Sequence, residues 1–376
     1  MGWVVKCADF ALISLILLAG LACRQKTYPL SIETKDGVKT VVNPEYPRDG
    51  RFIAKLTEEM SCGDEGESPD ALLNRPALFD VDVRGQIYAM DMGDICIKVY
   101  NNQGQFIRAV GRPGQGPGEF GGPLVFLSMM AEGKLCVLDI FQRRVMMMTA
   151  EGRYLSGFLV KGDYSGVAVD HKDRIYLSRR ESTVDNSKLT SETREIAFLT
   201  IIYRVDSPGH EPVLLTELPG ESWAMTHHGA TIGAVGGAFI IVWNISREGR
   251  LYGGYNGEYR LSAFGGDGTK ELVFGRRHES IMDKGFQGKV GQKKTKPVFS
   301  AIVMDETDNL WLELYQDDVA KGYLYDVFSP EGIYHKQVEI SARIGKLKNG
   351  RVYGLVRSEE GYPSIRRYRM ELMRKD

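Results

Sequence analysis

The residues able to do chemistry are few and widely spaced. Asp82, Asp170 and Asp305 recur in Asp-x-x-Gly or Asp-x-x-Asp contexts, each shortly before an aromatic strand residue, Tyr88, Tyr176 and Trp311. An aspartate opening a turn accepts backbone N–H groups, so turn capping is the expected role. The other chemistry open to such carboxylates is convergence of three or four on one divalent ion. His227 and His228 are the one adjacent histidine pair. On a regular strand they would point to opposite faces and could not chelate together, although in a loop they could. Trp223 beside them, and Arg276, Arg277 and His278, belong to the segments least like scaffold and are expected to form binding loops, because specificity tends to sit on loops held by a rigid frame. The basic run Lys289, Lys293, Lys294 and Lys296 suits an anionic glycan, peptide or lipid headgroup, or else a solvated loop. No G-x-S-x-G, H-E-x-x-H or S-x-x-K pattern is present, so no nucleophile with an adjacent base is visible. Cys62, Cys96 and Cys136 are odd in number and form no C-x-x-C pair, so neither a disulfide framework nor a zinc site can be read, and no metal or other cofactor is legible.

The elements that must position these residues follow from a repeat. A second strand after an inner one, Gly85-Gln86-Ile87-Tyr88, then a strand ending at Tyr100, a turn closing at Gly104 and an outer strand at 105–110 are echoed by Gly133-Lys134-Leu135-Cys136, a strand ending at Met148, a turn at Gly152 and a strand from Arg153. Tyr88 to Cys136 and Gly104 to Gly152 are both separated by 48 residues, so the two units keep register. Further equivalents of the second strand are centred on 176, 239, 311 and 353, which makes six. Short strands parted by turn signals, with 43 glycines to supply positive φ, point to an all-β array of radially repeated four-stranded antiparallel blades. The polar stretches 182–195 and 276–296 read as long loops between strands. Residues 50–56 resemble the outer strand at 104–110, so 50–57 are expected to complete the last blade and close the ring.

The connector Gly111-Arg112-Pro113-Gly114-Gln115-Gly116-Pro117-Gly118-Glu119-Phe120 resembles the NHL-repeat signature that links one blade's outer strand to the next blade's inner strand. With Gly85-x-Ile87-Tyr88-x-x-Asp91 it covers the first blade, and later blades keep the Gly/Asp/Asn-x-Ile/Leu-Tyr/Trp core. It is not a phosphate cradle, since no Gly-Lys-Ser/Thr follows. The chain thus resembles the NHL-like six-bladed β-propellers of bacterial envelopes, lipoproteins and secreted proteins alike. A well-formed repeat with no visible catalytic constellation points to a non-catalytic envelope module binding a protein, peptide or glycan. The alternative, implied by the resemblance to NHL-like lactonases and lyases, is a metal-assisted lyase, lactonase or hydrolase at the mouth of the central channel.

The balance of 48 Lys+Arg against 49 Asp+Glu argues against a nucleic-acid partner, which calls for basic excess. Lys6 precedes an apolar run from Phe10 to Ala22, too short to span a bilayer comfortably and suited to a signal-peptide core. Export is therefore expected. The run ends in Leu17-Leu18-Ala19-Gly20-Leu21-Ala22-Cys23, which resembles a bacterial lipobox and implies Cys23 as a lipidated N-terminus contacting the membrane. The expected organisation is a signal peptide over 1–22, a linker and N-terminal extension over 23–49, and a six-bladed propeller over 50–376.

Overall fold

A computed structural model describes residues 29–375 apart from 65–67, 124, 183–192, 228–229, 236–239, 279–281 and 283–294. Strands dominate, and they form six radial blades. The first blade holds β4 (Pro76–Val81), β5 (Ile87–Asp91), β6 (Cys96–Tyr100) and β7 (Phe106–Val110), paired in that order and antiparallel. The second repeats it with β8 (Val125–Met129), β9 (Leu135–Asp139), β10 (Arg144–Met148) and β11 (Tyr154–Leu159). The third runs β12 (Tyr164–Val169), β13 (Ile175–Ser182), β14 (Thr193–Val205), β15 (Val213–His227) and a fifth strand, β16 (Ala230–Val235). Then follow β17 (Ile241–Ile245), β18 (Leu251–Tyr255), β19 (Leu261–Phe264) and β20 (Lys270–Arg276) in the fourth, and β21 (Phe299–Met304), β22 (Leu310–Leu314), β23 (Tyr323–Phe328) and β24 (Tyr334–Ile340) in the fifth. The last blade has β25 (Lys346–Lys348), β26 (Arg351–Arg357) and β27 (Pro363–Arg374) of its own.

Its missing outer strand comes from the start of the chain. β3 (Gly50–Cys62) pairs antiparallel with β27 from Phe52 to Cys62, so the expected closure is present. The first residues of β3 also pair parallel with β24, Gly50 opposite Lys336, which joins blades five and six into one sheet. Within the N-terminal extension, β1 (Ser31–Lys35) and β2 (Val38–Asn43) form a hairpin, and β2 lies parallel against β20 on the outside of blade four. Asn43 fastens it: its side-chain amide donates to the carbonyls of Gly275 and Gly332 and accepts from the Tyr334 amide. Residues 31–62 therefore belt three consecutive blades.

The fourth unit needs a correction. Its second strand was expected around residue 239, but Ile241–Ile245 is the inner strand and the true equivalent of Tyr88 is Tyr252 in β18. Gly249-Arg250-Leu251-Tyr252 carries the repeat's core motif, and Gly249 adopts φ of +82°, as Gly85 does with +80°. Unusually long strands in blade three moved the unit along the sequence.

Cores lie between blades, not within them. Tyr88, Met90, Ile97 and Val99 of blade one meet Phe120, Val125, Leu127 and Val137, all buried. Phe120 plugs this contact from the glycine-rich connector. A Cβ on Gly111, which has φ of +77°, would sit 2.3 Å from the Phe120 ring. Gly111→Val is accordingly expected to lower stability by about 2–3 kcal/mol through left-handed backbone strain and overpacking, read as a shift of the urea midpoint.

Candidate functional site

Two faces of the ring can meet a ligand. On one, the inner strands turn back outward; on the other, connectors arrive from each preceding blade.

At the first face the three repeated aspartates open turns, as expected. Asp82 accepts from the amides of Arg84 and Gln86 at 2.9 and 2.8 Å. Asp170 accepts from Lys172 and Arg174 amides with one oxygen, and from the Arg174 guanidinium and Tyr176 hydroxyl with the other. Asp305 accepts from Thr307 and Asn309 amides, and from the Trp311 indole at 3.1 Å. Neighbouring turns are stitched to each other. The Ala131 amide donates to Asp173, the His171 amide to the Arg247 carbonyl, the Arg247 amide to Asp308 and the Gly350 amide to Glu306. Asp173 and Asp308 hold φ of +60°, the position glycine takes in the turns at 85, 133 and 249, and use their side chains for the link. The result is a collar around an opening of about 530 Å³ lined from all six blades. Inside it, Asp80 pairs with Lys346 at 2.6 Å and accepts from the Met129 amide, bridging blades six, one and two. Among the described residues, no group of three or more His, Cys, Asp or Glu side chains is arranged to hold a metal ion.

The collar has a pH signature. Burial would raise the Asp305 carboxyl, but bonds from Trp311, Asn309 and Thr307 outweigh it and hold the group below the usual carboxylate range. A lowered folded pKa gives stability that is present above the unfolded value, near pH 4, and lost as pH falls through the folded one. The melting temperature is expected to fall on acidification below about pH 4. Asp305→Ala should cost about 1–3 kcal/mol at neutral pH and flatten that acid slope.

The connector face is built differently. β14 and β15 have 13 and 15 residues against five in β5, β6 and β9. Their collar ends are level with β13, since Ile175 faces Val205 and Arg204 faces Val213, so the excess length lies at the connector face. At about 3.3 Å per residue the two strands run roughly 40–50 Å and raise a wall there. Trp223 and His227, expected in a loop, lie on β15 within this wall. His228 falls outside the described residues, as do Cys23, Lys289, Lys293 and Lys294. Lys296 pairs with Asp317.

Arg276 does not reach outward as a binding residue would. It ends β20 and its side chain is only 8% exposed, paired at 2.6 Å with the fully buried Asp326 of blade five. Asp326 also accepts from the hydroxyls of Tyr259 and Tyr334 and from the Gln337 amide. Burial and the Asp326 charge push both tyrosine hydroxyls well up. Arg277 is exposed, and His278 lies 5.6 Å from the Tyr259 ring. Three residues adjacent in sequence thus divide between a buried inter-blade tie and the surface.

Beside the wall, a cleft of about 210 Å³ opens between blades three and four. Sequence reasoning missed it. One side carries Ser178, Arg180, Thr200 and Phe198; the other carries Ile241, Trp243 and Tyr255. The signal lay in the repeat: two residues after the motif aromatic or its equivalent, blades one and two place Met90 and Leu138 in their inter-blade cores, and blade three places Ser178.

The fold and these two faces define a six-bladed β-propeller. A family model described as "6-bladed beta-propeller" (DUF5128) matches residues 76–192, less than half of the chain. No curated protein matches it. Among solved structures, a candidate exported protein from Bacteroides fragilis is similar at 12% identity and TM-score 0.51, covering 88% of this chain and 98% of its own. A DUF4221 member from Bacteroides vulgatus is similar at 10% identity and TM-score 0.52, covering 86% and 99%. Virginiamycin B lyase from Staphylococcus aureus is similar at 11% identity and TM-score 0.45, covering 84% and 99%. At these identities the likeness is one of fold. No helix among the described residues is long and apolar enough to cross a membrane.

Proposed function

We propose that the chain is an exported, non-catalytic binding module of the bacterial cell envelope that holds a protein, peptide or glycan on the connector face. The observation carrying this reading is the wall of blade three. A β-surface extended well past its neighbours, beside a cleft, gives a partner area and shape to dock against. The collar face, by contrast, spends Asp82, Asp170 and Asp305 on its own turns rather than turning them toward a shared ion. Export rests on the apolar segment 10–22, and anchoring on lipidation of Cys23 in its lipobox-like context. The test is hydrogen exchange of the mature protein against panels of peptidoglycan fragments, glycans and peptides, with the ligand recovered for mass analysis. Protection is expected on β13, β14 and β15, with the ligand unaltered. Protection confined to the collar turns would overturn the choice of face, and a chemically changed ligand would overturn the non-catalytic reading.

A further inference from the structure

The cleft between blades three and four has a composition that selects a ligand chemistry. Alternate residues of β13 face opposite neighbours: Ile175 and Leu177 enter the core shared with blade two, while Tyr176 enters the core shared with blade four. Ser178 and Arg180 continue the Tyr176 side, and Thr200 stands opposite Arg180 on β14. The apolar contact between these blades, built from Tyr176, Ile202, Leu218 and Ile245, therefore stops short of the connector face and gives way to hydroxyls and a guanidinium. Two glycines keep the space open and narrow. A Cβ on Gly166 would meet Ser178 Oγ at 2.7 Å and Trp243 at 3.3 Å, and one on Gly220 would meet Ile241 at 2.9 Å.

One buried and one exposed polar side chain in the cleft, Ser178 and Arg180, have no protein hydrogen-bond or ion-pair partner among the described residues. Ser178 is 2% exposed and its hydroxyl makes no hydrogen bond among the described residues. Arg180 lies over the Phe198 ring at 4.1 Å and pairs with no carboxylate among the described residues, whereas its neighbour Arg179 is tied to Glu181 and Tyr203. Desolvation holds the Arg180 guanidinium below its usual pKa. Blade five shows the same position satisfied internally. There Glu313, two residues after Trp311, is buried and takes Arg343, the Ser300 hydroxyl and the Tyr325 hydroxyl. Among the described residues, blade three has the arginine and the hydroxyls here without a carboxylate.

We propose that this cleft binds a carboxylate carried on an apolar, aromatic-sized body, the carboxylate meeting Arg180, Ser178 and Thr200 and the body lying against Trp243, Ile241 and Phe198. Arginine is suited to the planar carboxylate because its fork donates two parallel hydrogen bonds. The volume admits several waters of about 30 Å³ each, enough for a small organic acid or for the end of a longer chain. The proposal rests on the connector-face reading and names the ligand class for it.

The experiment is calorimetric titration of the mature protein with 3-phenylpropanoate and its primary amide, then with a short peptide ending in phenylalanine as the free acid or the amide. The acid is expected to bind at least about tenfold more tightly than the amide, the margin of a charge-assisted pair over a neutral one. Arg180→Gln should reduce the acid to the amide's affinity and leave the amide unchanged, while Ser178→Leu, which copies blade two, should abolish both. Equal affinity for the free-acid peptide and 3-phenylpropanoate would assign the carboxylate to a chain end; binding of 3-phenylpropanoate alone would assign it to a small metabolite. Equal binding of acid and amide by the natural protein, or no binding of either at millimolar concentration, overturns the proposal without requiring a variant to fold. Neutral glycans that protect the connector face equally in Arg180→Gln would overturn the carboxylate cleft and leave the binding-module reading standing.

Discussion

A chain that begins at residue 63 is expected to lose its single cooperative melting transition and to aggregate. The segment removed contains β3, which supplies the outer strand of the last blade, and the hairpin that borders blade four. Without it, β27 presents an edge of ten residues that are paired in the intact ring, and β24 and β20 lose their parallel partners. Open edges template association between chains. Ala54, Met60, Cys62 and Val41 also leave buried positions. The loss should exceed about 5 kcal/mol, the lower end of the whole stability of a typical domain. Calorimetry and light scattering read the outcome, and a synthetic peptide of residues 50–62 should restore part of the transition in trans. A truncated chain melting cooperatively near the full-length temperature would show that closure contributes little.

The second large effect is at Asp326. Replacing it by alanine leaves the Arg276 guanidinium buried without its anion and strips a shared acceptor from Tyr259, Tyr334 and Gln337. Breaking a buried pair from one side costs about 3–5 kcal/mol, because the remaining charge keeps its desolvation penalty without the compensating attraction. The melting temperature should drop by about 10 °C. The double variant Arg276→Met with Asp326→Leu should recover part of this, since it removes both charges together, though the two tyrosine hydroxyls still lack their acceptor. A loss below about 1 kcal/mol for Asp326→Ala would mean that water reaches the cluster and that the pair behaves as a surface one.

The repeat was legible because its cues are local. Turn glycines, the Asp-x-x-Gly and Asp-x-x-Asp openings and the alternation of strand residues all act over a few positions, so the register from Tyr88 to Cys136, the closing strand near 50–57 and the capping roles of Asp82, Asp170 and Asp305 follow from chain order alone. Blade four was misplaced for the same reason in reverse: an inner strand at Ile241–Ile245 is as apolar as a second strand, and the long β14 and β15 shift any count of spacing. The pairing of Arg276 with Asp326, 50 residues away, was not legible, because nothing in either segment states which blade face will meet the other. The cleft has the same origin. Ser178 and Arg180 look like ordinary polar strand residues in sequence, and become a site only when Gly166 and Gly220 let Trp243 and Ile241 approach from the next blade. Short-range backbone preferences thus determined that this chain forms a propeller. Which of its side chains are buried ties and which stand open to a ligand was decided between blades, where the contacts depend on the closed ring.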